Sequence, residues 1–206
     1  MSTIFLDFET SGFNPYRDDI IEIAIKVMNS DITYNSLVKP KSNECVSQTI
    51  TAVTGISNEL LRDEGLSWKK AYSELNEILK DILKKSPNNK LYIVAHNGET
   101  FDFIFLKRIF SELNSINIKT INTKNIVFID SLLFSRRLLN RVSYKQETLC
   151  KTYNINTNGN HRALNDVKAL EDLYIILCEI LNKELNKRRS ILENPQIIYD
   201  YIHFKI

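Results

Sequence analysis

The sequence predicts a single α/β domain in which helices cover a mixed β-sheet. Three segments near the N-terminus have strand character and are separated only by turns, which indicates an antiparallel meander. Further along the chain, helical and strand segments alternate, which is typical of strands joined by helices that pack on the sheet. A length of 206 residues and a hydrophobic content of 43% suit one domain with a substantial core.

The predicted strands are short apolar runs rich in β-branched and aromatic residues. They lie at residues 3–9, 20–27, 32–38, 91–95 and 126–129. A turn around residues 29–31 joins the second strand to the third as a hairpin. The sheet is therefore expected to have five strands.

Apolar residues at helical spacing predict the segments that cover the sheet. These segments run from Ser67, which would cap the first helix, to Ser86, from the end of the fourth strand through Phe110, and over residues 131–152 and 163–185. We expect residues 1–185 to form the domain and residues 186–206 to form a C-terminal extension that packs on it.

Composition excludes several classes of protein. A formal net charge of +2 provides no global basic field, so any contact surface for nucleic acid must be local. The N-terminus reaches Asp7 too early for a secretory signal, and no apolar run has membrane-spanning length. Cys45, Cys150 and Cys178 lack metal-ligand spacing and suit free thiols in a reducing compartment. We expect a cytoplasmic or nuclear protein with no membrane partner.

The first strand ends in two acids, Asp7 and Glu9, followed by Thr10, Ser11 and Gly12. Alternation along a strand places both carboxylates on the same side. Two carboxylates at the end of an apolar strand repel each other and resist the loss of water, which a divalent cation between them would relieve. Gly12 would let the chain turn tightly or let a ligand approach the backbone.

Two later acids stand at the edges of buried elements. Asp102 begins a helix and shares a core-facing side with Leu106, so an acid stabilised only by the helix macrodipole fits it less well, and both interpretations stay open. Asp166 heads an apolar stripe on the last long helix, and His161 precedes it in a polar loop. Taken alone, a histidine in such a loop is more often structural or solvent-exposed.

Together these acids predict a divalent-metal site. Four converging carboxylates could not all stay ionised without cations. Oxygen ligands without accompanying cysteine or paired histidine favour Mg²⁺ or Mn²⁺ over Zn²⁺. Two ions about 3.5–4 Å apart would stabilise the attacking and leaving oxygens of a phosphoryl displacement. An imidazole with an unperturbed pKa of about 6.5 suits deprotonation of the attacking water. The chemistry indicated is metal-assisted phosphodiester hydrolysis.

The order and spacing of these motifs resemble those of the DEDDh (DnaQ-like) exonucleases, which have the ribonuclease H-like fold. The motifs are D-x-E-T-S-G from Asp7, H-N-G-x-x-F-D-F from His96 and H-x4-D from His161. Three residues separate Asn97 from Phe101, as in the three-prime repair exonucleases (the TREX group), which the chain resembles most. The resemblance covers residues 3–181 and implies a five-stranded mixed sheet with helices on both faces.

The resemblance implies a role for each residue of the motifs. Asp7, Glu9 and Asp166 would bind the first of two Mg²⁺ ions, for which Mn²⁺ could substitute. Asp7 would also touch the second ion, and Asp102 would act on that ion through waters. His161 would be the general base.

The resemblance also implies contacts with the last nucleotides of a strand. The residues concerned are Thr10, Gly12, Phe13, Val53, His96, Asn97, Phe101 and Tyr144. Phe13 and Val53 would be apolar wedges against the terminal base. Ordinary core packing is the simpler interpretation of either residue on its own.

The activity implied is that of a 3′→5′ exonuclease that releases nucleoside 5′-monophosphates from DNA 3′ ends, with single-stranded or frayed ends preferred. RNA is the alternative substrate, because no residue indicates how a 2′-hydroxyl would be read. A non-catalytic nucleic-acid-binding module is a third interpretation, and trimming within a larger assembly stays open. Arg162 and the basic segment 136–141 could grip phosphates. Relatives dimerise through an edge strand, which residues 32–38 would form here.

Overall fold

One mixed β-sheet organises the part of the chain that the computed structural model describes, namely residues 2–41, 45–157, 162–185 and 191–204. Its strands are β1 (Ser2–Thr10), β2 (Ile20–Val27), β3 (Thr33–Leu37), β4 (Leu91–Ala95) and β5 (Ile126–Asp130). Their spatial order is β3-β2-β1-β4-β5. The first three strands pair antiparallel, whereas β4 pairs parallel to both β1 and β5. The predicted five-stranded mixed sheet is confirmed.

Helices cover both faces of this sheet. They are α1 (Gln48–Thr54), α2 (Asn58–Glu64), α3 (Trp68–Lys84), α4 (Asp102–Ser115), α5 (Ser131–Leu138), α6 (Gln146–Thr152), α7 (Ala163–Glu184) and α8 (Pro195–His203). Helices α3 and α4 enclose one core against the sheet, and α5, α7 and α8 enclose a second core on the opposite face. The predicted α/β class, with helices on both faces, is confirmed.

Alternation along β1 sends successive side chains into opposite cores. Leu6 and Phe8 join the core under α3 and α4, whereas Phe5 joins the core under α7. Because both faces of β1 are covered, its sequence is almost continuously apolar. Asp7 and Glu9 follow the phase of Phe5, so their carboxylates point toward α7.

Two short helices, α1 and α2, were not predicted from the sequence. Each has a serine N-cap, Ser47 or Ser57, whose hydroxyl accepts the backbone N–H three residues later. Each ends at a glycine, Gly55 or Gly65. Helices of seven residues carry too little apolar periodicity to be recognised by that signal. The repeated serine-to-glycine spacing was the available clue.

The last described segment packs on the α7 core. Ile191, Ile198 and Tyr201 are buried there, in a 3-10 turn and in α8. The division of the chain between residues 185 and 186 stays a prediction, and the basic residues 187–189 lie outside the described ranges.

The expectations about the cysteines and about membrane spans can be compared with the structure. Cys45, Cys150 and Cys178 carry free thiols. Among the described residues, no helix combines the length and the apolar character needed to cross a bilayer. Strand β3 is an edge of the sheet, so the surface expected for dimerisation exists, and dimerisation itself stays a prediction.

Candidate active site

Three carboxylates converge at the end of β1. Asp7 and Glu9 project from that strand, and Asp166 projects from the first turn of α7. One oxygen of each lies within 4.8 Å of the others. Helix α7 packs across β1 and β2, which brings together residues more than 150 positions apart in the sequence. The structure thus assembles three of the acids that the sequence singled out.

Burial and repulsion by neighbouring acids raise the pKa values of Asp7 and Glu9. Loss of water is the main cause of the raised pKa of Asp7, and the charge of Asp102 is the next. Burial raises the pKa of Glu9 to about 8, with the charge of Asp166 as the second cause. Carboxylates with raised pKa values hold protons near neutral pH unless a bound cation replaces those protons.

The ligand set fits a hard divalent cation. The converging atoms are all carboxylate oxygens, the donors that Mg²⁺ and Mn²⁺ prefer. Bringing such a cation to Asp7, Glu9 and Asp166 would relieve the repulsion that helps to raise the pKa values of Asp7 and Glu9. The predicted metal site is therefore chemically consistent with the residues present.

Asp102 lies beneath the cluster and supports it. The residue is 3% exposed, and its Oδ1 accepts the backbone N–H of Phe8 at 3.1 Å. Because Phe8 stands between Asp7 and Glu9, this hydrogen bond fixes the backbone from which both ligands project. Burial raises the pKa of Asp102 to about 7. Its role toward a second metal ion stays a prediction.

A cavity of about 470 Å³ opens over the carboxylates. Its lining residues are Asp7, Phe8, Glu9, His96, Lys145, Gln146, Glu147, Cys150, Thr157 and Asp166. A second cavity, of about 570 Å³, shares His96, Lys145 and Gln146 with it and extends to Asn97 and Tyr144. The acids therefore stand at one end of a longer recess.

Comparison with known proteins identifies the family. The model of the exonuclease family RNase_T matches residues 4–174. The chain belongs to this exonuclease family. The match spans all five strands and the three clusters of motif residues, in agreement with the DEDDh assignment.

Relatives of this exonuclease domain include polymerases and a ribonuclease. DNA polymerase III PolC-type of Thermotoga petrophila is 28% identical over 98% of this chain, which covers only 14% of that protein. Ribonuclease T of Wigglesworthia glossinidia brevipalpis is 26% identical over 87% of this chain and 84% of its own length. The particular similarity to the TREX group stays a prediction.

Solved structures confirm the fold of the exonuclease domain. Escherichia coli exonuclease I, in complex with a dT13 oligonucleotide, superposes with a TM-score of 0.73 at 18% sequence identity. The match covers 90% of this chain and 42% of that chain. The expected ribonuclease H-like exonuclease architecture is therefore correct.

Within the exonuclease domain, Asp130 organises the turn that carries His96 and Asn97. Its carboxylate accepts the backbone N–H of Asn97 at 3.1 Å and that of Glu99 at 3.0 Å. The same carboxylate caps α5. Asn97 adopts a φ of 65°, a left-handed conformation that these bonds hold in place. These contacts join residues about 30 positions apart, so no local pattern indicated them.

His96 is held between two elements that border the recess. Its Nε2 lies 2.9 Å from the carbonyl oxygen of Tyr144, and its Nδ1 lies 2.8 Å from Ser131 Oγ. A carbonyl oxygen can only accept, so Nε2 carries the proton and donates it. Burial lowers the pKa of His96, which favours this neutral form. His96 therefore fixes the wall of the recess.

Phe13 and Val53 project into solvent from the domain. They are exposed by 86% and 50%, so core packing is the wrong interpretation of either residue. The loop that carries Phe13 is tied to α4 by Arg108, which donates to the carbonyl oxygens of Pro15 at 2.7 Å and Asp18 at 2.8 Å. The predicted wedge is an exposed ring on an anchored loop.

The turn after β1 is held by its own side chains. The hydroxyl of Thr10 donates to the carbonyl of Gly12 at 2.5 Å. A β-carbon at Gly12 would collide with the carboxylate of Asp18. The close neighbour of Gly12 is thus the side chain of Asp18, which would have to move to admit a larger residue. Substrate contacts of Thr10 and Gly12 stay predictions.

Phe101 and Tyr144 also have partners within the domain. The ring of Phe101 packs edge-on against Phe105, with centroids 5.0 Å apart. The hydroxyl of Tyr144 donates to the carbonyl of Leu139 at 2.9 Å. Both rings are half-buried, and Tyr144 lines the second cavity. Contacts of either ring with a nucleotide stay predictions.

One functional candidate, Glu22, was missed from the sequence. Glu22 is fully buried in β2, directly opposite Glu9 in the strand pairing. Arg162, which the sequence offered as a phosphate contact, forms an ion pair with Glu22 at 2.9 Å. The available signal was a lone acid inside the apolar run 20–25. Its partner lies 140 residues away and could not be named.

The predicted general base, His161, lies outside the described residues. It immediately precedes Arg162 in the sequence. Its position relative to the carboxylates is therefore not described, and its role stays a prediction.

Proposed function

We propose that this exonuclease domain removes nucleotides one at a time from DNA 3′ ends and releases nucleoside 5′-monophosphates. Single-stranded or frayed ends would be preferred. The observation that carries this proposal is the convergence of the Asp7, Glu9 and Asp166 carboxylates within 4.8 Å. Further support comes from the solved exonuclease I, which was crystallised with a single-stranded oligonucleotide.

Asp7, Glu9 and Asp166 would hold the first of two divalent cations, and Asp102 would act on the second through water. When bound, such ions supply the positive charge that stabilises the attacking and leaving oxygens of a phosphoryl displacement. Mg²⁺ is the expected ion and Mn²⁺ its substitute, because every ligand is a carboxylate. A zinc-bound form of the E. coli exonuclease I complex supports a divalent ion in this fold.

The residues around the recess would position the strand. Phe13 and Val53 offer exposed apolar surfaces on which the terminal base can stack. Because Arg108 anchors the loop that carries Phe13, this platform is already in place before substrate binds. Asn97 and Tyr144 line the continuation of the recess, where the preceding nucleotides would lie.

His161 would take the proton from the attacking water. A neutral imidazole accepts that proton near neutral pH, and the polar loop in front of α7 would carry it to the site. Arg162, the next residue, is fixed by Glu22. Arg162 and the start of α7 are therefore anchored to β2.

RNA is the second candidate substrate. One relative of comparable length, ribonuclease T of Wigglesworthia, matches over 84% of its own chain. A two-metal site acts on the phosphodiester and does not itself distinguish the sugars. Discrimination between DNA and RNA would depend on protein groups near the 2′ position of the terminal nucleotide.

A single assay tests the activity and its substrate. We would offer 5′-labelled single-stranded DNA, duplex DNA and RNA of one sequence with Mg²⁺, Mn²⁺ or EDTA. The proposal expects a ladder shortened from the 3′ end of single-stranded DNA, dependent on metal and lost in Asp166→Asn. Asp63→Asn, at an exposed acid on α2, is the matched control and should cleave like the wild type.

The same assay separates the alternatives. Products from RNA alone would replace the proposal with an exoribonuclease. Absence of products under every condition, with DNA binding retained in a fluorescence anisotropy titration, would favour a non-catalytic binding module.

A further inference from the structure

Two ion pairs join β2 to α7 on the face that carries the carboxylates. Glu22 pairs with Arg162 at 2.9 Å, and Lys26 pairs with Glu171 at 2.6 Å. Ala24 lies between them on the same face of β2 and is fully buried under α7. Its small side chain lets the helix approach the strand closely.

The spacing of the two pairs is the same in the strand and in the helix. From Glu22 to Lys26 the strand advances about 13 Å, at roughly 3.3 Å per residue. From Arg162 to Glu171 a helix advances about 13.5 Å, at 1.5 Å per residue. Because the two distances are similar, both pairs form together with α7 lying along β2.

Glu22 has its oxygens occupied by the start of α7. The guanidinium of Arg162 donates from Nε to both oxygens at 3.3 Å and from its terminal nitrogen at 2.9 Å. The backbone N–H of Ala163, the first residue of α7, donates at 3.1 Å. A fully buried carboxylate without such donors would be strongly unfavourable, so this attachment is held firmly.

We propose that Glu22 is a positioning residue for the candidate metal site. By holding Arg162 and Ala163, Glu22 places the Asp166 carboxylate, one helical turn further along, beside Asp7 and Glu9. The register of the sheet supports this, because Glu22 lies directly opposite Glu9. The inference rests on the proposed function only in taking the carboxylates to bind divalent cations.

Binding of Mn²⁺ to the full chain, measured by isothermal titration calorimetry, tests the inference without any nuclease assay. Glu22→Gln keeps the shape and one acceptor, and we expect its apparent dissociation constant for Mn²⁺ to rise about 10–100-fold. Lys26→Met is the matched control, since it breaks the other ion pair between the same two elements. We expect its affinity to stay within about twofold of the wild type.

Arg162→Gln separates positioning from simple charge. Removing a positive charge beside the carboxylates would tighten cation binding if charge alone mattered. If Glu22 acts by holding α7, Arg162→Gln should weaken Mn²⁺ binding, as Glu22→Gln does. Hydrogen exchange of the metal-free variants should show faster exchange of the first amides of α7 in both, and unchanged exchange there in Lys26→Met.

Three results would overturn the inference: unchanged Mn²⁺ affinity in a folded Glu22→Gln, tighter binding in Arg162→Gln, or equal weakening in Lys26→Met. Circular dichroism establishes that each variant is folded. If Glu22→Gln does not fold, Arg162→Lys, which keeps the charge and loses the fork of donors, carries the same expectation of weaker binding. A wild type that binds Mn²⁺ but cleaves nothing would contradict the proposed function and leave this inference standing.

Discussion

Glu9 and Glu22 face each other across the pairing of β1 and β2, and their surroundings are opposite in kind. Around Glu22 the protein is closed, and donors from Arg162 and Ala163 occupy the carboxylate. Around Glu9 the protein opens into a cavity of about 470 Å³, and burial raises the pKa of Glu9 to about 8. Neighbouring positions of one sheet thus hold a satisfied acid and an acid that is short of positive charge.

The contrast shows how a single helix serves both regions. Helix α7 brings a cation to Glu22 through Arg162 and brings another acid, Asp166, to Glu9. The charge of Arg162 does lower the pKa of Glu9, but burial and the neighbouring acids outweigh it. Glu9 therefore still lacks a balancing positive charge, which a divalent ion would supply.

The largest expected effect is on catalysis at Glu9, which faces the cavity (the open side). Glu9→Gln should lower kcat for single-stranded DNA on the order of 10³-fold, a loss of the size seen when one group that stabilises transition-state charge is removed. Glu22→Gln should lower kcat less, because it displaces a ligand without removing one. Cleavage rates of end-labelled DNA at saturating Mg²⁺ measure both. A wild-type rate in Glu9→Gln would remove Glu9 from the ligand set.

The next effect is on the stability of the fold and arises at Glu22, which is buried against Arg162 (the closed side). Arg162→Met would leave Glu22 buried without its cation and should lower the free energy of unfolding by about 3 kcal/mol. Lys70→Met, which breaks the exposed pair with Glu74 on α3, should cost less than about 0.5 kcal/mol. Urea denaturation of both variants gives the comparison. Equal losses would show that burial of Glu22 does not matter.

Neutralising each glutamate in the metal-free protein should move Tm in opposite directions. Above pH 8, where the carboxylate of Glu9 is ionised, Glu9→Gln removes a repelling charge and should raise Tm by about 2–4 °C, equivalent to roughly 1 kcal/mol in a chain of this size. Glu22→Gln weakens a satisfied pair and should lower Tm. Differential scanning calorimetry in EDTA measures both shifts. Changes of the same sign would erase the distinction between the two regions.

The last effect is a pH dependence of stability that arises from the raised pKa of Glu9. The folded protein raises the pKa of Glu9 from its ordinary 4.5 to about 8, so it binds more protons than the unfolded chain between these values. Stability of the metal-free protein should therefore fall as pH rises from about 5 to 8. Millimolar Mg²⁺ should raise Tm more at pH 8 than at pH 6, and Glu9→Gln should flatten the dependence. A Tm that rises with pH would contradict this.

The sequence was sufficient for the elements with strong local signals. The β-branched runs predicted β1, β2, β4 and β5, and the apolar stripe behind Asp166 predicted α7. The acids of the motifs could be located because each stood at the edge of such an element. Asp102 was expected on a core-facing stripe, and it is buried there.

The features that could not be predicted depend on contacts between distant segments. Glu22 stood out as a lone acid in the apolar run 20–25, but nothing local indicated Arg162 as its partner. The loop that carries the exposed Phe13 is bound by Arg108, a residue more than 90 positions away. Helix α1 was missed because its signal is in its caps, Ser47 and Gly55, and seven residues show no clear period.

The matched advance of β2 and α7 makes residues 162–171 sensitive to their number more than to their identity. Deleting or inserting one residue between Arg162 and Glu171 would rotate everything beyond it by about 100° around the helix axis and shift it by about 1.5 Å. Lys26 would then lose Glu171, or Asp166 would swing away from β1, depending on which side the change falls. The length of this segment therefore has to be kept, whereas its outward-facing residues can be substituted.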